Sequence, residues 1–436
     1  MNKTTDITNA TDIPPDQAST AHEPAVAPRR PPHRRWLFAY DGFNLSTNTL
    51  FTSAIWVIYL ASRGYSPLAI GLFEMLFHVA KLIAEVPTGI FADLLGRRKS
   101  LVIFCLIGAV ENLLFLVPTV PLLILSFSLS GISYAFLGGA NEAMLWMLAG
   151  QSNNESEVDQ AQQVRRYSRL ISRMYLVGFI GEIIGTSLGG YLGHILIALP
   201  FICRSAFMLF GVLPLLLLPE HRGVTAQRTS PLAHLGRGLR SVWRMPALLG
   251  LLLISALTSS CWQTIYFYYQ LYLHGLGFSL SIIGLIVSAS TASGFLFTAA
   301  TPHIMRRLPE RWLVSLFVLM EIAGLVCMSL PQAVISLFGY LVLFQASVSV
   351  LGPATSTYIN QRCPEEQRAT VLSLNTGLFS AAMIVLFPLF GLGITNLAYS
   401  AVYQWTSAAL LIGSISTFAL VWILGKRASG IRMDNI

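Results

Sequence analysis

Charged side chains are scarce in this chain of 436 residues. Asp, Glu, Lys and Arg together make up 11% of it, whereas hydrophobic residues make up 54%. Ordinary globular proteins carry about 25% charged residues. So few charges could not cover the surface of a soluble fold of this size. The composition therefore excludes a soluble globular protein and favours one that lies in a membrane.

Cysteine is also sparse, and the cysteines show no paired spacing. They are Cys105, Cys203, Cys261, Cys327 and Cys363. Neither a disulfide framework nor a zinc site follows from this distribution. The sequence also lacks an ATP-binding motif, a His/Cys metal cluster and a pairing of a nucleophile with a base. We therefore predict no cofactor and no enzymatic activity.

Long apolar runs are what the sequence has in abundance. About 20 consecutive apolar residues span a bilayer as a helix. The twelve runs lie at residues 36–62, 67–91, 99–120, 122–149, 169–193, 195–217, 246–274, 278–302, 312–331, 333–358, 369–392 and 397–425. We predict an all-α membrane protein with twelve transmembrane helices. An even number of helices places both termini on one side.

The net charge of +8 is explained by topology. If the amino terminus is cytoplasmic, 25 of the 28 Lys and Arg residues fall in cytoplasmic segments, and the exceptions are Arg63, Lys81 and Arg204. This bias is the positive-inside rule. We therefore predict a multi-pass protein of the cytoplasmic (plasma) membrane with both termini in the cytoplasm. The basic balance needs no nucleic-acid partner.

The chain divides into two halves of six helices each. The longest polar interruption after the amino-terminal tail lies between the sixth and seventh apolar runs. We predict a disordered cytoplasmic tail at 1–35, six-helix bundles at 36–218 and 246–425, a cytoplasmic linker at 219–245 and a cytoplasmic tail at 426–436. The first tail is rich in Thr, Ala, Pro and Asp and has no apolar core, which is typical of disorder.

A short basic hairpin separates the second and third apolar runs. It contains Gly89, Asp93, Gly96, Arg97 and Arg98. Glycine at position 89 would let neighbouring helices approach closely. Asp93 is well placed to pair with Arg97 and to face a helix amino terminus, where negative charge is favoured. The alternative is a basic hairpin that only marks topology.

A glycine motif follows in the fifth run. It comprises Gly181, Gly185, Gly189 and Gly190. Small residues at a spacing of four let helix backbones come close together. The spacing therefore predicts a helix-packing motif.

Together these segments resemble the major facilitator superfamily. The hairpin is similar to the signature G-x-L-A-D-R-x-G-R-R/K, with Phe91 and Leu94 as replacements. The glycine motif resembles the antiporter motif G-x-x-x-G-P-x-x-G-G, with Thr186 in place of its proline. Residues 85–89 and 368–373 add to a resemblance to the drug:proton antiporter-like branch, although the usual fourth-helix arginine is missing. The resemblance implies two six-helix bundles, alternating access, and a gate contact between the hairpin and the start of the eleventh helix.

Acidic residues inside the apolar runs are candidates for proton coupling. Placing an ionisable side chain in a membrane span costs at least ~2.5 kcal/mol on insertion scales, so each one suggests a function. The candidates are Asp41, Glu142, Glu111, Glu182 and Glu85. Asp41 and Glu142 rank first, because Asp41 has no cation nearby in its own helix and Glu142 lies among small residues. Asp41 could instead form a cap or a pair near the cytoplasmic end, and Glu182 could bond across a packed helix pair.

The second run carries four ionisable side chains on one helical face. They are Glu74, His78, Lys81 and Glu85. At spacings of three and four residues these side chains can pair with one another. The pattern allows either a structural ladder of ion pairs or a functional group of charges.

Polar and aromatic helix faces indicate a substrate cavity. The resemblance implies that the first, fourth, seventh and tenth helices line it. The candidate lining residues are Asn44, Asn48, Trp262, Gln263, Tyr266, Gln270 and Gln345. Aromatic faces can stack on planar or cationic organic molecules. Tyr268, Tyr269 and Tyr272 are assigned instead to an interfacial aromatic belt.

These features predict a secondary transporter driven by an ion gradient, which couples protons to the efflux of an amphipathic organic compound or drug. Uptake of a small metabolite is the alternative in the same class, because proton coupling alone does not set direction. A membrane-embedded enzyme or a non-transporting receptor is the alternative of another class. The expected partners are a small organic substrate, protons and the lipid bilayer, and we expect a monomer.

Overall fold

The computed structural model describes residues 34–150, 160–220, 242, 245–363 and 368–433. Within these ranges the chain forms helices joined by short turns, and no strand is present there. Residues 1–33 of the predicted amino-terminal tail, nearly all of the predicted linker and the last three residues lie outside the described residues. Arg34 and Arg35, assigned to the tail, instead begin the first helix, and the last helix continues through residues 426–433 of the predicted carboxyl tail.

The helices follow the predicted apolar runs. Those with described ends are, in chain order, α1 (Arg34–Asn48), α2 (Trp56–Ser62), α3 (Pro67–Leu95), α4 (Arg97–Leu114), α5 (Val120–Gly150), α6 (Gln160–Ile195), α7 (Leu199–Phe210), α8 (Val212–Leu216), α9 (Pro246–Gly275), α10 (Leu280–Arg307), α11 (Glu310–Met328), α12 (Ala333–Phe338), a π-helical segment (Gly339–Phe344), α13 (Gln345–Arg362), α14 (Arg368–Asn396) and α15 (Tyr399–Met433). The helices α7 and α8 form one crossing, as do α12, the π-helical segment and α13.

Ten of the crossings are helices that are long and apolar enough to span a bilayer unaided. Two further crossings complete the predicted twelve. One is divided into α1 and α2, and the other, α4, begins with three consecutive basic residues and also carries Glu111. The prediction of an all-α membrane fold with twelve crossings is confirmed. We call the side where α1 begins and α15 ends the terminal side, and the opposite side the far side.

The two six-helix halves meet near the far side. There α3 packs on α14, and α6 packs on α10. A Cβ added at Gly71 would lie 2.8 Å from the Pro388 Cα, and one added at Gly190 would lie 2.7 Å from the Gly284 Cα. Because small residues let backbones approach this closely, the far side is closed by direct contact between helix backbones.

The same helices separate toward the terminal side. Gly89 on α3 and Gly377 on α14 have no described atom within 4 Å of the place where a Cβ would lie. Gly138, Gly139 and Gly352 also face open space among the described residues. The structure is therefore closed at the far side and open at the terminal side. The expected close packing at Gly89 is absent from this state.

The first crossing is interrupted, although the sequence predicts one continuous helix over 36–62. Helix α1 ends at Asn48 and α2 begins at Trp56, with turns between them. Main-chain atoms of residues 49–51 press against glycines of α6, where a side chain would not fit. Seven of the ten residues from Asn44 to Ser53 are polar, but this local loss of apolar character does not by itself show that the helix ends there.

The tyrosines at the far end of α9 do not form the predicted interfacial belt. Tyr268 and Tyr269 are 0% and 1% exposed. The Tyr268 hydroxyl donates to the Pro67 carbonyl oxygen at 2.7 Å, and the Tyr269 ring stacks on Tyr340 with centroids 4.3 Å apart. That prediction was wrong for these two residues, because their rings fill the contact between helices instead of facing lipid.

Candidate functional site

A cavity of about 430 Å³ lies between the two halves, near the middle of the crossings. Both halves supply aromatic side chains, but the acidic and basic side chains that line the cavity all come from the first half. The ionisable members are Glu74, His78, Lys81, Glu111, Glu182 and Arg204, and the facing second-half residues include Trp262, Gln263, Tyr266, Phe267 and Phe379. We call the first-half side of the cavity the charged wall, although it also carries aromatic rings, and the uncharged second-half side the aromatic wall.

The charged wall contains one weak pair on α3. His78 Nε2 lies 3.6 Å from Glu74 Oε1, while Lys81 and Glu85, the other two members of the predicted ladder, do not form an ion pair. Glu111 on α4 is buried and accepts a hydrogen bond from Asn112 Nδ2 at 2.8 Å. The four α3 side chains therefore do not form a complete ladder in this state, and Lys81 lines the cavity.

Arg204 is a cavity residue that sequence reasoning did not select. It lies on α7, is 4% exposed, and its Nη1 donates to the Thr47 and Thr49 carbonyl oxygens at 2.6 and 3.3 Å. These carbonyls border the interruption of the first crossing. The sequence feature that could have identified Arg204 is that it is the one basic residue within an otherwise apolar run.

Glu182 stands out among the acid candidates because it borders two cavities and contacts the other half. It lines the central cavity and also a smaller cavity of about 190 Å³ toward the terminal side. Its Oε1 accepts a hydrogen bond from Thr291 Oγ1 of α10 at 3.2 Å. One turn further along, Thr186 Oγ1 lies 2.6 Å from Ser288 Oγ. Thr291 and Ser288 were not selected from the sequence, which gives no pairing between distant helices.

The other acid candidates lie away from the central cavity lining. Asp41 forms an ion pair with Arg173 of α6, so it is not the unpaired acid that its own helix suggested. Glu142 is exposed near the terminal end of α5. Glu85 is half-buried one turn beyond Lys81. Glu111 and Glu182 are the two candidates that line the central cavity.

The aromatic wall is held by hydrogen bonds behind it. Trp262 Nε1 donates to Gln345 Oε1 at 3.0 Å, and Ser290 Oγ donates to the same oxygen at 3.0 Å. The Tyr266 hydroxyl lies 3.0 Å from Ser53 Oγ of the first half. Trp262, Gln263 and Tyr266 line this cavity, whereas Gln345 lies behind Trp262 and orients its ring.

Gln270 does not line the cavity. It is 1% exposed, and its Nε2 donates to the Ser53 carbonyl oxygen at 3.0 Å and to the Tyr266 carbonyl oxygen at 3.2 Å. The Ser53 carbonyl belongs to the interrupted first crossing. The placement of Gln270 among substrate residues is therefore corrected: it joins the halves at the closed far side.

Asn44 and Asn48 line the smaller cavity on the terminal side instead of the central one. Asn44 Nδ2 donates to the Met174 carbonyl oxygen at 2.6 Å, and Asn48 Nδ2 donates to Asn44 Oδ1 at 2.8 Å. Because Glu182 borders both cavities, these amides continue the polar surface from the centre toward the open side.

The basic hairpin connects helices within the first half. Arg97 Nη1 donates to the Ala143 carbonyl oxygen at 2.9 Å, and Arg98 Nε donates to Glu220 Oε2 at 3.0 Å. Asp93 is exposed and does not pair with Arg97, contrary to expectation. Gly96 has φ +112°, a conformation that favours glycine, so it makes the sharp turn between α3 and α4.

The glycine motif has two separate contacts. Gly181, Gly185 and Gly189 face main-chain atoms of residues 45–51, at the interruption of the first crossing. Gly190 faces α10 of the second half, where an added Cβ would lie 2.5 Å from the Leu280 carbonyl oxygen. The motif therefore makes room for the broken helix and, at its last position, for the contact that closes the far side.

Comparison with known proteins agrees with this architecture. The chain is 24% identical over 370 residues to the uncharacterised MFS-type transporter YxaM of Bacillus subtilis (strain 168), covering 83% of this chain and 89% of that protein. It is 23% identical over 368 residues to multidrug resistance protein 1 of the same organism, covering 80% and 87% of the two chains.

Solved structures share the fold at low sequence identity. A crystal structure of a variant of the nucleoside transporter NupG matches with a TM-score of 0.73 and 16% identity, covering 89% of this chain and 98% of that one. A bacterial homologue of the human lysosomal transporter Spinster, in an inward-facing and unoccupied conformation, matches with a TM-score of 0.66 and 15% identity, covering 91% and 97%. The family model of the Major Facilitator Superfamily matches residues 38–388, and the chain, a multi-pass membrane transporter, belongs to that superfamily.

Proposed function

We propose that the protein exports an amphipathic organic compound across the plasma membrane in exchange for protons. The observation that carries this proposal is the central cavity, which has an ionisable wall in one half and an aromatic wall in the other. The charge bias of the sequence favours a cytoplasmic terminal side, so the open state would face the cytoplasm. The protein would act as a monomer.

The walls of the cavity support an amphipathic substrate. Its volume of about 430 Å³ falls within the 300–1,000 Å³ typical of sites for drug-sized molecules. The rings of Trp262 and Tyr266, with centroids 5.1 Å apart, offer adjacent aromatic faces. Such faces attract planar and cationic groups, and carboxylates on the opposite wall would neutralise a positive charge. The similarity to multidrug resistance protein 1 supports the same substrate class.

We place proton coupling at Glu182, with Glu111 as the second acid. The Glu182 carboxylate accepts its hydrogen bond from Thr291 of the other half, so the far side cannot open without breaking that bond. Protonation removes the charge that strengthens the bond. A proton on Glu182 would therefore favour separation at the far side, which links proton binding to alternating access. Asp41 and Glu142 are weaker candidates, because one is paired and the other is exposed.

The basic hairpin would act on the terminal side in the alternate state. Asp93 is exposed while that side is open, and Gly89 faces open space. Closure would bring this part of α3 toward the beginning of α14. We propose that Gly89 then permits close approach and that Asp93 then contacts the beginning of α14. Gly96, Arg97 and Arg98 would hold the hairpin in shape throughout.

Uptake of a small metabolite is the second candidate function. It is favoured by the shared fold with NupG, a nucleoside transporter, and by the hydrogen-bonding amides Asn44 and Asn48 on the open side. Accumulation of labelled compounds in cells that express the protein decides between the two. Lower accumulation of amphipathic dyes than in control cells is expected for export, and higher accumulation of a nucleoside or other metabolite would contradict it.

The coupling proposal is tested with Glu182→Gln. The glutamine side chain keeps an oxygen that can accept the hydrogen bond from Thr291, but it does not take up a proton in this pH range. In proteoliposomes with an imposed pH gradient, we expect gradient-driven dye flux to fall at least tenfold, while dye exchange without a gradient continues. Glu142→Gln removes an exposed acid from the same half and should leave both fluxes near their original values. Gradient-driven flux that persists in Glu182→Gln would rule out Glu182 as the coupling group.

A further inference from the structure

A second cavity, of about 550 Å³, lies inside the second half at its terminal side. It is bounded by α9, α11 and α15 and shares no lining residue with the central cavity. Its inner lining is apolar and includes Leu251, Ile254, Val314, Phe418 and Val421. Phe418 on α15 is 42% exposed, so this apolar lining continues onto the outer surface of the bundle. The cavity is therefore open to the hydrocarbon of the bilayer.

Charged side chains occur at one end of the cavity, where α11 begins and α13 ends. They are Glu310, Arg311 and Arg362. Arg362 forms an ion pair with Glu310, and its guanidinium lies 5.7 Å from the centre of the Tyr358 ring. Arg311 is exposed and has no carboxylate partner among the described residues, although its guanidinium lies 5.9 Å from the Trp312 ring centre. The charges of these three lining residues therefore sum to one positive charge, on Arg311.

Two exposed tryptophans mark the depth of this rim in the membrane. Trp312 follows Arg311 and is 60% exposed, and Trp422 follows the lining residue Val421 and is 62% exposed. Lys426 lies one turn beyond Trp422, with Nζ 3.8 Å from its ring centre. Tryptophan flanked by basic residues is typical of the membrane–water interface. The charged rim thus lies at headgroup level, and the apolar lining lies at the level of the acyl chains.

We propose that this cavity binds an anionic phospholipid of the leaflet on the terminal side. The phosphate of the headgroup contacts the Arg311 guanidinium, whose planar donors suit a phosphate group. One acyl chain fills the apolar cavity between α9, α11 and α15. A zwitterionic headgroup gains less binding free energy from the rim, because its own cationic group is repelled by the positive charge of Arg311. A soluble phosphate lacks the chain that would fill the apolar lining.

The test uses the full-length protein in detergent and measures its melting temperature with added lipid. Phosphatidylglycerol should raise the melting temperature by several degrees more than phosphatidylcholine, and inorganic phosphate alone should have little effect. Arg311→Gln should weaken phosphatidylglycerol binding, measured by native mass spectrometry, by about tenfold or more, since a charge-assisted hydrogen bond contributes about 1.5–3 kcal/mol. Arg307→Gln is the matched control, because Arg307 ends α10 four residues before Arg311 and does not line the cavity.

A second variant tests the apolar part of the site separately. Ala247→Phe places a ring in the cavity from an exposed position on α9 and should also reduce phosphatidylglycerol binding without lowering the melting temperature of the lipid-free protein. The proposal is overturned if phosphatidylcholine or inorganic phosphate stabilises the protein as much as phosphatidylglycerol. It is also overturned if Arg307→Gln loses as much binding as Arg311→Gln, or if Ala247→Phe binds the lipid unchanged.

Discussion

Arg204 illustrates how one buried side chain makes an irregular backbone possible at membrane depth. A helix that ends inside the bilayer leaves main-chain carbonyl groups without partners, and each costs free energy where water is absent. Arg204 donates to the carbonyls of Thr47 and Thr49, and Gln270 donates to that of Ser53. These donors come from both halves of the molecule. The main-chain carbonyl oxygens at the interruption of the first crossing thus receive hydrogen bonds from each side of the cavity.

The substitution Arg204→Gln should destabilise the protein by about 1–3 kcal/mol, because the glutamine amide ends two bonds short of the Arg204 Nη1 and leaves a buried carbonyl without its donor. The expected readout is a lower melting temperature in detergent, with partial recovery in Arg204→Lys, which restores a charged donor. Arg63→Gln serves as the control, since Arg63 is an exposed cation on the far side of the first half. An Arg204→Gln protein as stable as Arg63→Gln would contradict this role.

At the scale of single residues, the sequence predicts which side chains are unusual but not what they contact. Asp41 was recognisable as an acid in an apolar run, yet its partner Arg173 lies in a different helix. Gln270 shares the helical face of Trp262 and Tyr266, but a carbonyl of the first half holds it away from the cavity. Partners that are distant in sequence are set by tertiary packing, which spacing along one helix cannot reveal.

The glycine motif of α6 belongs to the scale of elements, because it fixes how close two helices can lie. At Gly185 a side chain would meet main-chain atoms of Thr49 and Leu50, which are at the interruption itself. Neither the backbone of α6 nor that of the first crossing can move without breaking contacts on its other side. The close packing of α6 against the first crossing therefore requires a residue without a side chain at position 185.

Gly185→Ala should lower stability by about 1–3 kcal/mol, the usual cost of overpacking a tight contact. Thermal unfolding in detergent measures this, and transport should fall in parallel because the interruption borders the central cavity. Gly138→Ala is the control, as Gly138 lies in a helix and faces open space among the described residues. Equal melting temperatures for the two variants would show that the contact is not tight in solution.

Helix positions were largely predictable because hydropathy marks most of the segments that enter the bilayer. The predicted runs and the observed helices differ mainly at their ends, where helices extend beyond the apolar core, as α6 does by starting at Gln160. The break between α1 and α2 was not predictable from the same signal. No proline lies there. The break falls in the polar stretch from Asn44 to Ser53, and contacts with α6, α7 and α9 hold it.

At the scale of the whole molecule, the contact between Gly190 and Gly284 helps to hold the far side closed. A larger side chain at position 190 would clash with the α10 backbone in the state described here. In a state open at the far side, the two helices would be apart and the side chain would have room. A substitution that penalises one state shifts the population toward the other. Gly190→Val should therefore favour closure of the terminal side.

Distances between spin labels can measure this shift. With labels at Lys99→Cys and Arg307→Cys, one in each half at the terminal side, Gly190→Val should increase the fraction of short distances. Gly138→Val should not, because position 138 is uncrowded in the observed state. An unchanged distance distribution in Gly190→Val would mean that this contact does not control the far side.

The contacts at the closed far side determine how the protein divides between that state and a state open at the far side. The ion pairs found among the described residues, such as Asp41 with Arg173 and Glu310 with Arg362, each lie within one half. The halves instead meet through glycines, main-chain atoms and hydrogen bonds, among them the bond from Thr291 to the Glu182 carboxylate. Screening by salt weakens charge pairs but not steric fit. Side-chain volume at a few glycine positions, more than ionic strength, would therefore decide how readily this transporter turns over.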